Sequence, residues 1–353
     1  MNLQQILGTD WPLIQAPMAG VQGSALAIAV CNAGALGSVP AAMLDAAGLA
    51  REVAALRAGT DRPWNLNFFC HRPPAPGGEW APAWLDALAP YYRESGLEAG
   101  AAPGGPARTP FSAAHVELLD AVRPRVISFH FGLPAPDLLA RVKSWGSVLM
   151  SSATTVAEAQ WLEAHGADVI IAQGLEAGGH RGMFLTDDLS TQMGTMALLP
   201  QVVRAVRRPV VAAGGIADAQ GVAAAMALGA AGVQVGTAYL LCPEASTSAV
   251  HRAALASEAA GHTALTTIFT GRPARGIVNR LMRELGPLNP AAPAFPLAGV
   301  AVAALRARAE KLGSGDFSPL WSGQNASACA NRPADEITRE LALGFSGGPS
   351  QPA

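Results

Sequence analysis

The ten residues Gln173–Gly182, QGLEAGGHRG, place one imidazole, His180, among glycines and beside one carboxylate and one guanidinium. A histidine exchanges a proton near neutral pH. It can act as a base toward a C–H acid or, protonated, as a clamp for an anion. The glycines allow a backbone to approach a ligand closely. The run before them, Ala167–Ala172 (ADVIIA), is apolar and β-branched, the pattern of a short buried strand. His180 is therefore the candidate catalytic residue, set just beyond a strand's C-terminal end. Glu176 is read as a brace for backbone N–H groups and Arg181 as a structural cation.

One strand end makes a site only where others converge on it. Short apolar runs recur at 12–16, 35–39, 63–69, 126–129, 147–151, 169–172, 209–213 and 232–235. Helical patterns lie between most of them, among them 23–32, 43–58, 155–165 and 218–228. This alternation predicts an α/β protein, a parallel sheet closed as a (β/α)8 TIM barrel with a smaller, mainly helical lid or substrate domain. An open doubly wound sheet is the competing architecture. The absence of GxGxxG after the first strand argues against its dinucleotide-binding form. The barrel is expected over 1–241 with an insertion at about 71–120, the helical lid over 242–340 and a disordered tail over 341–353. The insertion contains Trp80, a helix near 84–93 and a Gly- and Pro-rich loop over 96–109. The lid carries helices over 251–260 and 298–312.

Barrel enzymes keep their chemistry on the loops that follow the strands. Pro17 and Met18 follow the first strand and suit a rigid bed under a flat ring. Asn67, in the third, offers a donor and an acceptor together. His130 ends the fourth, as a rim residue with either a structural or a catalytic role. Gln173, Gly178 and Gly179 follow the sixth. Gly214 and Gly215, then Gln234, Val235, Gly236 and Thr237, close the last two. Such loops often hold a phosphate in barrels. No Walker-type GxxxxGK[ST] is present. A phosphate, neutral amides and a flat apolar bed together point to FMN.

Composition narrows the partners. Of 353 residues, 50% are hydrophobic and 14% charged, with a net charge of -2, so neither nucleic acid nor an anionic membrane is an expected partner. Cys31, Cys70, Cys242 and Cys329 are widely spaced without CxxC, which predicts neither a disulfide framework nor a metal site and fits a reducing cytoplasm. The first ten residues do not read as a signal peptide, and no apolar run reaches the ~18 residues of a membrane span. Small molecules are the expected partners of a monomer or homodimer.

The motifs IQAPMAG (14–20), NLNFF (65–69), QGLEAGGHRG (173–182), AAGGIAD (212–218) and GVQVGTAYL (232–240) resemble the nitronate monooxygenase family, formerly the 2-nitropropane dioxygenases. The likeness runs from about residue 10 to about 330 and is nearest the FMN-dependent class I enzymes. It implies oxidative denitrification of alkyl nitronates, and of nitroalkanes, with O2 to a carbonyl compound and nitrite by way of a flavin semiquinone. The alternative on the same scaffold is an FMN-dependent NAD(P)H:quinone or enoyl-thioester reductase. The resemblance implies that Asn67, Gln173 and Gly178 line the flavin and Met18 backs its ring. Gly215 and residues Gln234 to Thr237 hold the phosphate end, and His180 is the active-site histidine. It places the segment with Phe317, Trp321 and Gln324 near flavin and substrate; these, with His130, are the candidate substrate contacts. With only Tyr91, Tyr92 and Tyr239 in the chain, and with Phe317 and Leu320 in that segment, an apolar pocket is expected.

Overall fold

A computed structural model of the chain describes residues 2–74, 81–98 and 108–345. Trp80, most of the loop read over 96–109 and residues 346–353 of the expected tail lie outside them. The first six apolar runs form β1 (Leu13–Gln15), β2 (Gly37–Pro40), β3 (Trp64–Phe69), β4 (Val126–His130), β5 (Val148–Ala153) and β6 (Val169–Gln173). A two-residue strand outside the barrel, β7 (Gly179–His180), comes next, then β8 (Val210–Ala213) and β9 (Gly232–Val235). The eight longer strands are parallel, in the spatial order β1-β9-β8-β6-β5-β4-β3-β2. A parallel bridge between Ile14 and Leu36 closes the circle. There Gln15 N donates to Leu36 O at 2.9 Å and Leu36 N to Leu13 O at 2.9 Å. The result is the expected (β/α)8 barrel.

Strand side chains alternate between two faces, and in a closed barrel both are buried. Ile14, Val126, Met150, Val169, Ile171 and Val211 form one apolar cluster with Leu3 and Leu7 of the first helix, Leu3–Leu7. That short helix starts with a capping box between Asn2 and Gln5 and buries its apolar side against the strands. The other face, with Leu13, Ile170, Val210, Val233 and Val235, packs beneath the surrounding helices.

The helix Pro82–Glu94 of the insertion packs on the helix Ala298–Lys311. Trp84 is fully buried between them and donates its Nε1 hydrogen to Ala298 O at 3.1 Å, while Tyr92 Oη donates to Ala301 O at 2.6 Å. Buried aromatics with a satisfied polar tip contribute both area and orientation. Helices alone do not describe the region after residue 241. It also holds the antiparallel hairpin β10 (Thr263–Thr266) and β11 (Ala274–Ile277), and β11 pairs in turn with β7, Ala274 opposite His180 and Arg275 opposite Gly179. Its strands, TALT and ARGI, lack apolar alternation and are joined without a tight-turn dipeptide, so no hairpin pattern stands out. The helix expected over 251–260 is two pieces, Ala249–Leu255 and the 3-10 turn Glu258–Gly261. Residues 341–345, read as the start of a disordered tail, are instead ordered. Leu341 and Ala342 end a buried helix face, and Gly344 packs so closely that a Cβ would lie 2.3 Å from Ala219 O. Among the described residues no helix is long and apolar enough to cross a membrane.

Candidate active site

The C-terminal ends of the barrel strands open on one cavity. Pro17 and Met18 form one wall, and Asn67 and His130 another. Gln173, Gly178, Gly179 and His180 bring in the histidine loop. Gly214, Gly215, Gln234, Gly236 and Thr237 line the side read as phosphate-binding, and Trp321 comes from the distant C-terminal segment. Fourteen of the seventeen residues singled out from the sequence thus share one surface.

The other three lie elsewhere. Val235 turns its side chain into the barrel–helix core, and only its carbonyl, which accepts from Ala16 N at 2.8 Å, serves the rim. Period 2 dictates this, because its neighbour Gln234 faces the cavity. Phe317 is buried against Tyr91, ring centroids 5.5 Å apart, in the apolar cluster of the helix pair. Gln324 has an exposed side chain and contributes through its backbone N–H, which donates to Glu176 O at 2.9 Å.

The histidine loop is tied from all sides. Gln173 holds it with both ends of its amide, Nε2 donating to His180 O at 2.9 Å and Oε1 accepting from Gly182 N at 2.7 Å. His130 Nε2 donates to the same carbonyl at 3.2 Å, and its Nδ1 accepts from Ser152 Oγ at 3.2 Å. His130 therefore acts on the loop as an orienting group. Arg181 is fully buried and turned away from the cavity, donating to Gly174 O at 2.6 Å, Gln173 O at 2.7 Å and Gln192 Oε1 at 2.9 Å. Glu176 does not reach His180. Its carboxylate accepts from Thr195 N at 2.8 Å and from Thr195 Oγ1 at 2.8 Å, anchoring the loop to the start of the helix Thr195–Ala205.

His180 sits among Phe69, Phe131, Phe295 and Trp321, with ring centroids 5.3–6.2 Å away. Its Nε2 lies 3.0 Å from Thr270 Oγ1, a residue the sequence reading did not single out. Thr270 Oγ1 also lies 3.3 Å from Arg272 O; with its hydrogen given to that carbonyl, it accepts from His180 Nε2–H and leaves the lone pair on Nδ1. Burial in this aromatic surround holds the His180 pKa well below 6.5, and the positive fields of Arg108 and Arg272 act in the same direction. Burial first, opposed by the His180 carbonyl, takes His130 down to about 4. Both imidazoles are neutral at pH 7.

Residues 320–325 cross over the histidine loop. Trp321 forms an antiparallel bridge with Gly276, and its carbonyl accepts from His251 Nε2 at 3.1 Å. Gly323 N donates to Thr237 Oγ1 at 2.9 Å, and Asn325 Nδ2 donates to Gly215 O at 3.1 Å. The crossing is so close at Gly178 that a Cβ there would stand 2.5 Å from Gly323 N. Arg108 also lines the cavity, and neither it nor Gly323 and Asn325 was singled out from the sequence. No periodicity marks such residues. Their only local signals are an isolated cation after a Gly/Pro-rich stretch and an SGQN segment downstream of Trp321.

The cavity suits a phosphorylated heterocycle. Gly214 and Gly215 line the cavity with φ of +117° and +74°, a left-handed backbone that glycine adopts without strain. Gln234 Oε1 is buried at the wall without a donor, a position a ligand N–H satisfies. Met18 and Pro17 supply the apolar bed.

A parallel barrel with a ligand cavity at its C-terminal mouth, and a neutral, oriented histidine within it, defines the class of barrel enzymes. The nitronate monooxygenase family model matches residues 1–344, and the chain belongs to that family of oxidoreductases. It is 43% identical to a nitronate monooxygenase of Paraburkholderia phytofirmans, over 96% of this chain and 93% of the relative. It is 42% identical to that of Pseudomonas aeruginosa, over 96% and 97%. Among solved structures, a nitroalkane oxidase from Streptomyces ansochromogenes superposes with a TM-score of 0.88 at 38% identity, covering 98% of each chain.

Proposed function

We propose that this protein uses FMN and O2 to convert alkyl nitronates, and the nitroalkanes from which they form, to carbonyl compounds and nitrite. The neutral, oriented imidazole of His180 facing the glycine-walled cavity is the observation that carries this reading. FMN, when bound, supplies the redox chemistry. Gly214, Gly215, Gly236 and Thr237 would hold its phosphate, Asn67, Gln173 and Gln234 its polar edge, and Pro17 with Met18 its ring. The Streptomyces relative is named a nitroalkane oxidase, which supports including the neutral substrates.

The residues divide the work. His180 takes the α-proton of a nitroalkane on Nδ1, and Thr270 holds the opposite nitrogen so that this lone pair stays available. Gln173 and His130 hold the His180 carbonyl and so fix the approach of the ring. Phe69 and Trp321 flank the imidazole and exclude water, which keeps it uncharged.

Two assays test this. Aerobic protein given ethylnitronate should consume O2 and release nitrite. Anaerobic protein given NADH or NADPH should keep its yellow absorbance. Rapid bleaching by a nicotinamide, with ethylnitronate inert, would instead assign the scaffold to a flavin reductase.

A further inference from the structure

A neutral His180 leaves a question of charge. A nitronate carries a full negative charge on two coplanar oxygens, and an imidazole presenting a lone pair cannot neutralise it. Burying an anion without a partner costs several kcal/mol. Some other group at the cavity must meet that charge.

Among the described residues the cavity lining includes no Asp, Glu or Lys, and its histidines, His130 and His180, are neutral. One lining residue carries a formal charge, Arg108. Arg108 stands at the reacting end, because Phe111 N, three residues on, donates to Phe69 O at 2.8 Å, and the Phe69 ring lies 6.2 Å from that of His180, all three of Arg108, Phe69 and His180 lining the cavity. Arg108 is half-buried, with the cation Arg306 nearby. Burial, and then the neighbouring Arg306, disfavour its charge. Among the described residues no carboxylate forms an ion pair with Arg108, whereas Arg306 pairs with Glu310 at 2.7 Å. The adjoining stretch 99–107, AGAAPGGPA, contains no acidic residue. The other arginine near this imidazole, Arg272, is not among the described lining residues. Arg272 stacks over Phe131 at 4.2 Å, donates to Met183 O and lies in the field of Asp187 and Glu158.

We infer that Arg108 is the anion-recognition residue of the cavity, placed to bind the planar O–N–O group of a nitronate while the neutral His180 handles the proton. A guanidinium matches two coplanar oxygens in a bidentate pair. This makes Arg108 the group that discriminates nitronates from neutral nitroalkanes, and it deepens the functional reading above, on which it rests.

Nitrate reproduces the planar anionic oxygens without being turned over, so calorimetric nitrate titration of the flavin-loaded protein reads the site directly. Arg108→Gln should weaken nitrate binding, and raise KM for ethylnitronate, by ~10- to 100-fold with kcat within about threefold. KM for neutral nitroethane should barely move. Arg108→Lys, which keeps the charge, should recover part of the loss, and an unchanged flavin content shows that the variants are folded. Wild-type nitrate affinity in the Gln variant, or an equal loss for nitroethane, would overturn the inference. If the wild type turns over no nitronate, the functional reading falls, and the nitrate titration still decides the role of Arg108.

Discussion

His180 owes its proposed role to its surroundings more than to its identity. Burial comes first and the fields of Arg108 and Arg272 follow, and all of them favour the uncharged ring. A group with a depressed pKa keeps its neutral form as pH falls, so log kcat/KM for nitroethane should stay level through pH 6.5 and bend only well below it. His180→Asn should lower turnover of nitroethane by ~10²–10⁴-fold while flavin content is unchanged. An acid limb centred near pH 6.5 in the wild type would mean that burial does not control this imidazole.

The loop from Gly178 to Gly182 works as an element because its backbone is held on both sides. Gly179 has φ of +70°, with nothing within 4 Å of where a Cβ would stand. Gly179→Val therefore meets no clash, only the cost of a β-branched residue in the left-handed region, about 1–3 kcal/mol. The expected result is a lower melting temperature with weakened flavin retention, and a smaller effect for Gly179→Ala. Full flavin retention in the valine variant would show that the loop tolerates a different backbone. The elements were legible from the sequence to unequal depth. Val169–Gln173 and Val210–Ala213 are continuous apolar runs because parallel strands are buried on both faces, and the glycines after them mark the cavity directly. The partners of those loops were not legible. Thr270, the hairpin from Thr263 to Ile277 and the crossing at Gly323–Asn325 contribute through backbone pairing and single hydrogen bonds, which leave no hydrophobic period. Phe317 illustrates the opposite error, since an aromatic near a site motif went to the core.

At the scale of the whole molecule, three histidines, two of them buried and one half-buried, link folding to pH. His71, His130 and His251 are each brought from 6.5 to about 4, with burial the leading cause. Below pH 6.5 the unfolded chain takes up protons that the folded protein refuses until about 4. The stability these residues contribute is complete above 6.5 and drains away as pH falls toward 4. Urea midpoints measured from pH ~7 down to ~4.5 should fall, and less steeply in His251→Gln than in the wild type. An equally steep fall in that variant would place the proton uptake on other groups.

The crossing of residues 320–325 over the histidine loop has a consequence for how the protein is made. All eight barrel strands have been synthesised once Val235 has, before Thr270 and Trp321 are. A growing chain can thus hold all eight strands while the cavity mouth lacks one wall and the helix Ala334–Ala342, which packs into the barrel–helix core, is still missing. Loading of a ligand that touches both walls therefore belongs to the last stage of synthesis or after it.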